Sequence, residues 1–103
     1  RYLARNPGCS FTAWDGDRLV GAALAGHDGR RGYLHHAAVH PDYRDQGIGK
    51  GLVDHCISAL VQEGIQKSHL FVFRTNTSAQ SFWQHIGWQE RTDLLIMSKK
   101  FID

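Results

Sequence analysis

The chain of 103 residues is predicted to form a single α/β domain, in which a mixed, mostly antiparallel sheet carries two helices. Three observations lead to this prediction. Residues 9–39 are short β-favouring runs separated by turn residues, which is the pattern of an antiparallel meander. An apolar stripe with helical spacing follows. A compact β-favouring run comes next, so that strand, helix and strand form a crossover unit.

The amino-terminal part is predicted to contain a helix end and three antiparallel strands. Residues 1–5 have the pattern of the end of a helix, because Pro7 disfavours helical continuation at the residue before it. The Asp15-Gly16 dipeptide predicts a tight hairpin, and Pro41 ends the last strand because it cannot continue a ladder. The three strands are expected at residues 9–14, 18–26 and 32–39.

The carboxyl-terminal part is predicted to contain two helices, one apolar strand and a last hairpin. The long helix begins at Ile48 and ends at Gly64, and its apolar residues recur at helical spacing. Residues 69–73 have little polarity and are therefore expected to form a central strand, parallel to the strand before the long helix. Thr77 and Gln80 fit a capping box at the start of a short helix that Gly87 ends. Residues 88–98 are expected to form the hairpin.

Composition excludes several classes of function. A net charge of +2 without a basic cluster argues against nucleic acid as the main partner. The sequence has neither an apolar run long enough to span a membrane nor a signal-peptide pattern, so no membrane partner is expected. Cys9 and Cys56 give no disulfide framework, and a reducing cytoplasm is the expected setting.

A glycine loop between the third strand and the long helix has the properties of a phosphate-binding site. Glycines at positions 47, 49 and 51 leave the backbone accessible at the start of a helix, where amide groups and the helix dipole favour an anion. Arg44 and Lys50 add positive charge. A Walker loop is excluded because Arg44 stands at its glycine position and Gly51 follows the lysine. A dinucleotide fingerprint is excluded because Leu52 replaces its third glycine. A plain glycine-rich turn that caps a core helix remains an alternative.

The segment from Arg44 to Gly49 resembles the R/Q-x-x-G-x-G/A pyrophosphate loop of the GNAT N-acetyltransferases. The spacing of Asn76, Ala79, Trp83 and Gly87 is similar to a second segment of that family, and the order of elements matches from about residue 7 to residue 101. The resemblance implies the family's acyl-CoA N-acyltransferase fold, with acetyl-CoA as co-substrate and an amine as acceptor. The family's amino-terminal strand and first two helices are missing, so we expect residues 1–103 to be one GNAT domain that is incomplete at its amino terminus.

The resemblance also implies a set of coenzyme-binding residues. The backbone amides of residues 46–50 would hold the pyrophosphate, and the end of the preceding strand would pair with the pantetheine arm. The amide near Val39 would face the thioester oxygen, and Asn76 would hold the arm from the other side. Core packing of the strand residues is compatible with this role, since only their backbone is used. The complete set is Ala38, Val39, Arg44, Asp45, Gln46, Gly47, Ile48, Gly49, Lys50, Asn76 and Trp83.

Acetyl transfer requires a group that takes the proton of the amine, and histidine titrates in the useful range. In the arylalkylamine branch of the family, histidines of this strand act as base through water. The resemblance therefore implies His35 as the base, and Tyr33 beside it on the strand is the expected relay. Strand alternation places Tyr33, His35 and Ala37 on one face. The other face is expected to carry Leu34, His36 and Ala38.

Two alternatives to a catalytic His35 remain open. The first is a packed strand histidine whose ring nitrogen is satisfied by the fold. The second is a metal site of His35, His36 and His40, which strand spacing disfavours because it separates the first two side chains. No metal is expected.

Two departures from the family leave two functions open. Trp83 stands where many members have a tyrosine acid, and Phe71 stands where the protein-acetylating branch has a glutamate base. The chain is expected to be an N-acetyltransferase that works by direct attack of the amine on the thioester. The alternative is a catalytically idle acyl-CoA-binding or regulatory module. A small-molecule or peptide amine is the expected acceptor. If the chain forms a homodimer, the aromatic residues Trp88 and Phe101 are expected to contact the second copy.

Overall fold

The computed structural model of the chain describes residues 2–6 and 8–102, apart from the side chain of His36. Two compact units divide the chain, Arg1–Phe71 and Val72–Asp103, and each is described in turn.

The first unit is a sheet that carries one long helix on one face. Its five strands lie in the sheet in chain order. Strands β1 to β4 form an antiparallel meander, and β5 is parallel to β4. The strands are β1 (Tyr2–Arg5), β2 (Phe11–Asp15), β3 (Arg18–His27), β4 (Gly32–Val39) and β5 (Ser68–His69). A 3₁₀ turn, Pro41–Tyr43, and helix α1, Ile48–Gln62, connect β4 to β5. The predicted meander, the hairpin at Asp15-Gly16, the long helix and the parallel crossover are thus confirmed.

The core lies between α1 and the sheet. Leu52, Val53 and Cys56 of α1 are completely buried. Gly21 of β3 allows this close packing, because a Cβ at that position would lie 3.1 Å from Leu52 Cδ1 and 3.2 Å from the Ala38 carbonyl oxygen. A leucine side chain buried to this extent contributes about 1.5–3 kcal/mol. The helix is therefore fixed over the middle strands, and its first turn is fixed with it.

The amino-terminal residues form a strand, and the prediction of a helix end was wrong. β1 pairs with β2 from Tyr2 opposite Trp14 to Arg5 opposite Phe11. The rings of Tyr2 and Trp14 stack, with centroids 6.3 Å apart. Pairing with an available sheet edge outweighs the weak local preference of so short a segment. Pro7, on which that prediction depended, lies outside the described residues.

A β-bulge interrupts β4 at His35. Leu24 of β3 pairs with His36, and Ala25 pairs with Leu34, so His35 is the extra residue of β4. A bulge of this kind bends the strand and breaks the simple alternation of side chains.

The bulge changes which residues share a face of β4. Gly21 faces α1, and the alternate residues Ala23 and Ala25 lie on the same face. Their partners Ala37 and Leu34 therefore also face the helix, since residues directly opposite in a ladder share a face.

The predicted grouping of β4 side chains was accordingly wrong in two places. Ala37 is not on the face of Tyr33 and His35, and Leu34 is not on the face of Ala38, because the extra residue shifts the alternation between them. The predicted proximity of Tyr33 and His35 is confirmed, since their rings stack with centroids 6.2 Å apart. The prediction for the His36 side chain lies outside the described part of the chain.

Strand β5 is shorter than predicted and lies at the end of the sheet rather than in its centre. It contains only Ser68 and His69, which pair with Gly32 and Tyr33. Phe71, predicted to belong to a central strand, is 72% exposed. Residues 69–73 thus have the composition of a buried strand, but pairing with β4 ends after two residue pairs.

The second unit contains one helix, α2 (Thr77–His85). Asn76 is the N-cap residue, and its side-chain oxygen accepts a hydrogen bond from the Ala79 amide at 3.1 Å. The capping box predicted from Thr77 and Gln80 was therefore wrong, because the cap is Asn76 and Thr77 is the first helical residue. Gln80 instead donates from Nε2 to the Arg74 carbonyl oxygen at 2.7 Å. As predicted, the helix ends before Gly87.

The predicted last hairpin does not form within the described part of residues 88–102. Arg91 makes two hydrogen bonds to the Asp93 carboxylate, at 2.8 and 3.0 Å, and these hold the predicted turn as a local loop. The apolar side chains that follow are exposed, from 57% at Leu94 to 90% at Met97. A run of consecutive apolar residues makes a strand only where another strand is available for pairing.

Candidate active site

The edge of β4 that faces β5 becomes unpaired after Tyr33. Only Gly32 and Tyr33 pair with β5, and in the described part of the chain β4 continues to Val39 with β3 as its single ladder partner. The His40 amide donates to the Val20 carbonyl oxygen at 2.7 Å and therefore points towards β3. Because successive amides of a strand point in opposite directions, the Val39 amide points to the unpaired edge. An extended ligand can add to this edge as a further strand would.

Arg44 folds back onto the same edge. Its Nε donates to the Val39 carbonyl oxygen at 3.3 Å. A guanidinium group is thus held where the unpaired strand meets the glycine loop. Ala38 is exposed and Val39 is half-buried, so this end of the strand is accessible to a ligand.

The first turn of α1 presents backbone amides that no side chain caps. Gly47 is the N-cap residue in the left-handed region, at φ +79°. The first helical bond runs from the Gly51 amide to the Gly47 carbonyl oxygen at 3.0 Å. The amides of Ile48, Gly49 and Lys50 precede it and have no carbonyl partner in the helix. The first turn contains no acidic residue, so no carboxylate within the turn offsets its partial positive charge.

The predicted loop residues occupy one exposed corner. The side chains of Arg44, Asp45 and Gln46 are exposed, whereas Ile48 is buried and anchors the helix start. Asp45 has φ +62°, a conformation that aspartate tolerates better than most residues. Lys50 is engaged with Asp54 one turn later, at 2.7 Å from Nζ to Oδ2. The Arg44 guanidinium and the backbone amides therefore provide most of the attraction for an anion. Lys50 contributes less, because Asp54 already neutralises part of its positive charge.

The β2–β3 hairpin contacts the 3₁₀ turn that precedes the glycine loop, and the sequence did not indicate these contacts. The Tyr43 hydroxyl donates to Asp15 Oδ2 at 2.7 Å, and this hydrogen bond raises the pKa of the tyrosine. The Arg18 guanidinium lies 5.5 Å from the centre of the Tyr43 ring. His40 is used in the same way, since its Nδ1 accepts from the Asp42 amide at 3.1 Å. These contacts fix the 3₁₀ turn that leads into the loop.

A cluster of three rings lies where β4 and β5 separate. His35 and Tyr33 stack at an interplanar angle of 17°, and His69 of β5 is the third ring, 6.1 Å from Tyr33. His35 is exposed, while Tyr33 and His69 are half-buried. His69 was missed by the sequence reasoning. The parallel pairing of β4 and β5 was the only signal that could have indicated it, and its register could not be predicted.

The two predicted binding residues of the second unit have local roles in that unit. The side-chain oxygen of Asn76 caps α2. The ring of Trp83 lies edge-to-face between Phe82 and Trp88, with centroids 5.1 and 5.3 Å away. Contact of Asn76 and Trp83 with the coenzyme stays a prediction.

A separate cleft of about 330 Å³ lies beside the start of α1. It touches the loop at Gly47 and Ile48, and neither Tyr33 nor His35 lines it. Its remaining lining residues are Tyr2, Leu3, Gly51 and His55. Among the described side chains, which do not include that of His36, no three His, Cys, Asp or Glu residues are grouped as a metal site would require. Neither described helix has the length and apolar character needed to cross a membrane.

Comparisons with known proteins agree with this geometry. The family model of the acetyltransferase (GNAT) family matches residues 1–88. An acetyltransferase of Sodalis glossinidius is 29% identical over 103 residues, which is all of this chain and 72% of that protein. An acetyltransferase of Pectobacterium atrosepticum is also 29% identical, with the same coverage of both chains.

Solved structures show the same fold. The aminoglycoside N-acetyltransferase AAC(6')-Iy, in complex with CoA, has a TM-score of 0.78 and 24% identity, with 90% of this chain and 66% of that chain covered. An integron cassette protein from V. cholerae has a TM-score of 0.80 and 20% identity, with 88% and 60% covered. The matched family model covers most of the chain, and the described fold and loop agree with it. The chain belongs to the acetyltransferase (GNAT) family.

Proposed function

We propose that the chain uses acetyl-CoA to acetylate a primary amine, which attacks the thioester directly. The observation that carries the proposal is the junction of two features in the first unit: uncapped amides at the start of α1, and an unpaired edge of β4 that ends at Val39. A diphosphate fits the first feature, and an extended amide-containing arm fits the second.

Residues of this junction would hold the coenzyme. The amides of residues 46–50 and the Arg44 guanidinium would bind the diphosphate, and the backbone of Ala38 and Val39 would pair with the arm. The Val39 amide, which points to the open edge, would donate to the thioester oxygen as negative charge develops on it. Asn76 and Trp83 belong to the proposed coenzyme site by the family resemblance alone. Asp45 contributes its backbone conformation rather than its carboxylate, since that charge opposes an anion.

His35 would take the proton that the amine must lose. A primary amine is mostly protonated at neutral pH, so one proton passes from the ammonium nitrogen to a ring nitrogen of His35, directly or through water. The neutral amine then forms the new C–N bond, and the C–S bond breaks with its electron pair on sulfur. The acylated nitrogen, which is still cationic, loses its second proton to solvent and becomes the amide. The thiolate leaves and takes its proton from solvent. Tyr33, whose ring stacks on that of His35, is the proposed relay.

The family's usual acid and glutamate base have no counterpart in this mechanism. The Trp83 indole donates a hydrogen bond but does not release its proton at neutral pH. The Phe71 side chain is exposed and does not titrate. A thiolate is a stable leaving group, so departure without an acid is chemically reasonable. An idle acyl-CoA-binding module is the competing outcome, and it predicts binding without turnover.

The acceptor is proposed to be a small-molecule or peptide amine. The structural neighbours include AAC(6')-Iy in complex with the bisubstrate analogue CoA-S-monomethyl-acetylneamine, and an aminoglycoside acetyltransferase in complex with sisomicin. These are amine-bearing small molecules, which supports this class of acceptor. The free, buried thiols of Cys9 and Cys56 support a reducing cytoplasmic setting.

Two measurements test the proposal. Calorimetry with coenzyme A should show binding, and a thiol-release assay with acetyl-CoA and a panel of amines should show turnover. His35→Gln should reduce kcat by about 10²- to 10⁴-fold, as expected for loss of a general base, with an unchanged affinity for coenzyme A. His85→Gln is the matched control, because His85 is an exposed histidine of α2 that is not among the proposed site residues. Silence across a broad panel, or full activity of His35→Gln, would overturn this mechanism.

A further inference from the structure

We propose that His69 is a positioning residue of the acceptor site, whose imidazole holds the Tyr33 phenol beside His35. This inference rests on the proposed function. It concerns a residue that neither the family motifs nor the coenzyme loop contains.

The position of His69 in the sheet is the first argument. His69 is the last residue of β5 and lies in register with Tyr33 of β4, so both side chains project from the same face. This is also the last pair before the two strands separate. The ring of His69 therefore lies where β4 and β5 begin to separate, next to the unpaired edge of β4 along which the thioester arm is proposed to bind.

The ring geometry is the second argument. Tyr33 lies between two imidazoles, with centroids 6.2 Å away towards His35 and 6.1 Å away towards His69. The first contact is nearly parallel and the second is tilted by 46°. The bulge at His35 bends β4 at this point. An imidazole of β5 therefore stands against the phenol at the point where β4 loses its neighbour, and its nitrogen atoms can hydrogen-bond to the phenol oxygen or to a water beside it and so restrict the directions that the phenol takes.

The chemistry available at the cluster is the third argument. In the described part of the chain, none of the three side chains forms an ion pair. All three are at least partly exposed, so an amine can reach them. Two imidazoles and a phenol can pass a proton between nitrogen and oxygen atoms, which a purely apolar packing cluster cannot do. The imidazole of His69, beside Tyr33 and His35, is thus suited to proton transfer at the acceptor amine rather than to core packing.

The test compares His69→Phe with His69→Ala. Phenylalanine keeps a ring against Tyr33 but removes both nitrogens, whereas alanine removes the ring as well. We expect His69→Phe to lower kcat/KM for the amine about tenfold, a loss typical of a misplaced catalytic group, and to change its pH profile. The KM for acetyl-CoA and the melting temperature should stay at wild-type values. His85→Phe, an exposed histidine outside the cluster, is the matched control.

Each outcome either supports or overturns the proposal. Wild-type kinetics of His69→Phe at every pH would overturn it, and so would a loss confined to His69→Ala, since ring packing alone would then explain the contact. If the wild-type protein acetylates no amine, the proposed function fails, and His69 is judged by NMR instead. Addition of coenzyme A with benzylamine should then shift the His69 ring signals, and Tyr33→Phe should remove that shift. Unchanged ring signals would overturn the proposal independently of turnover.

Discussion

Replacement of Gly47 by alanine gives the sharpest test of the coenzyme loop. Gly47 has φ +79° at the N-cap of α1, and a Cβ built there has no atom within 4 Å. The substitution therefore causes no clash, and its cost comes from the left-handed backbone alone. That cost is about 1–2 kcal/mol for a residue with a side chain.

The free-energy cost of Gly47→Ala can appear either in the stability of the free protein or in its affinity for coenzyme A. Arg44, Asp45 and Gln46 before it are exposed, so the free protein can relax away from the left-handed turn and avoid part of the strain. Binding of a diphosphate to the first-turn amides must then restore the turn. If the whole penalty appears in binding, the Kd for coenzyme A rises by about 5- to 30-fold. Any part that remains in the free protein lowers the free energy of unfolding instead.

Gly64→Ala is the matched control. Gly64 follows the other end of the same helix at φ +86°, and its Cβ would also have nothing within 4 Å. Its penalty should appear in stability alone. Calorimetry with coenzyme A and thermal unfolding of both variants measure the two quantities. An unchanged Kd for Gly47→Ala together with an unchanged free energy of unfolding would refute the assignment of this turn to the coenzyme, because the loop would then have relaxed without any cost to binding.

Three further predictions concern charges and thiols. Glu63 accepts hydrogen bonds from the His27 ring and the Cys9 thiol, and these lower its pKa from 4.5. Its contribution to stability is present above pH 4.5 and is lost as the pH falls through the lower folded value, so the melting temperatures of wild type and Glu63→Gln should differ at pH 7 and converge in acid. Burial raises the pKa of the Cys56 thiol to about 11 and also raises that of Cys9, so a thiol reagent at pH 8 should label neither cysteine until urea unfolds the chain. Asp45→Asn should strengthen coenzyme A binding about two- to threefold at low salt, with the gain lost at high salt, because an exposed carboxylate repels the diphosphate; a gain that salt leaves unchanged would contradict this electrostatic explanation.

The sequence alone determined those features that depend on local chemistry. The Asp15-Gly16 turn, the apolar stripe of α1 and the glycines at the start of that helix each act through neighbours a few residues away. Their positions were therefore predictable, and the loop that they form agreed with the family to which the chain belongs.

Tertiary structure decided the features that depend on which strands pair. Residues 2–5 became a strand because the edge of β2 was available to them, and β5 ends at His69, which forms its last pair with β4. The bulge at His35 reassigned the faces of β4, and the register between β4 and β5 brought His69 to Tyr33. Pairing joins residues that are far apart in the chain, and a shift of one residue moves a side chain to the other face. The local pattern therefore specified the anion-binding corner, while long-range pairing determined which rings stand beside it.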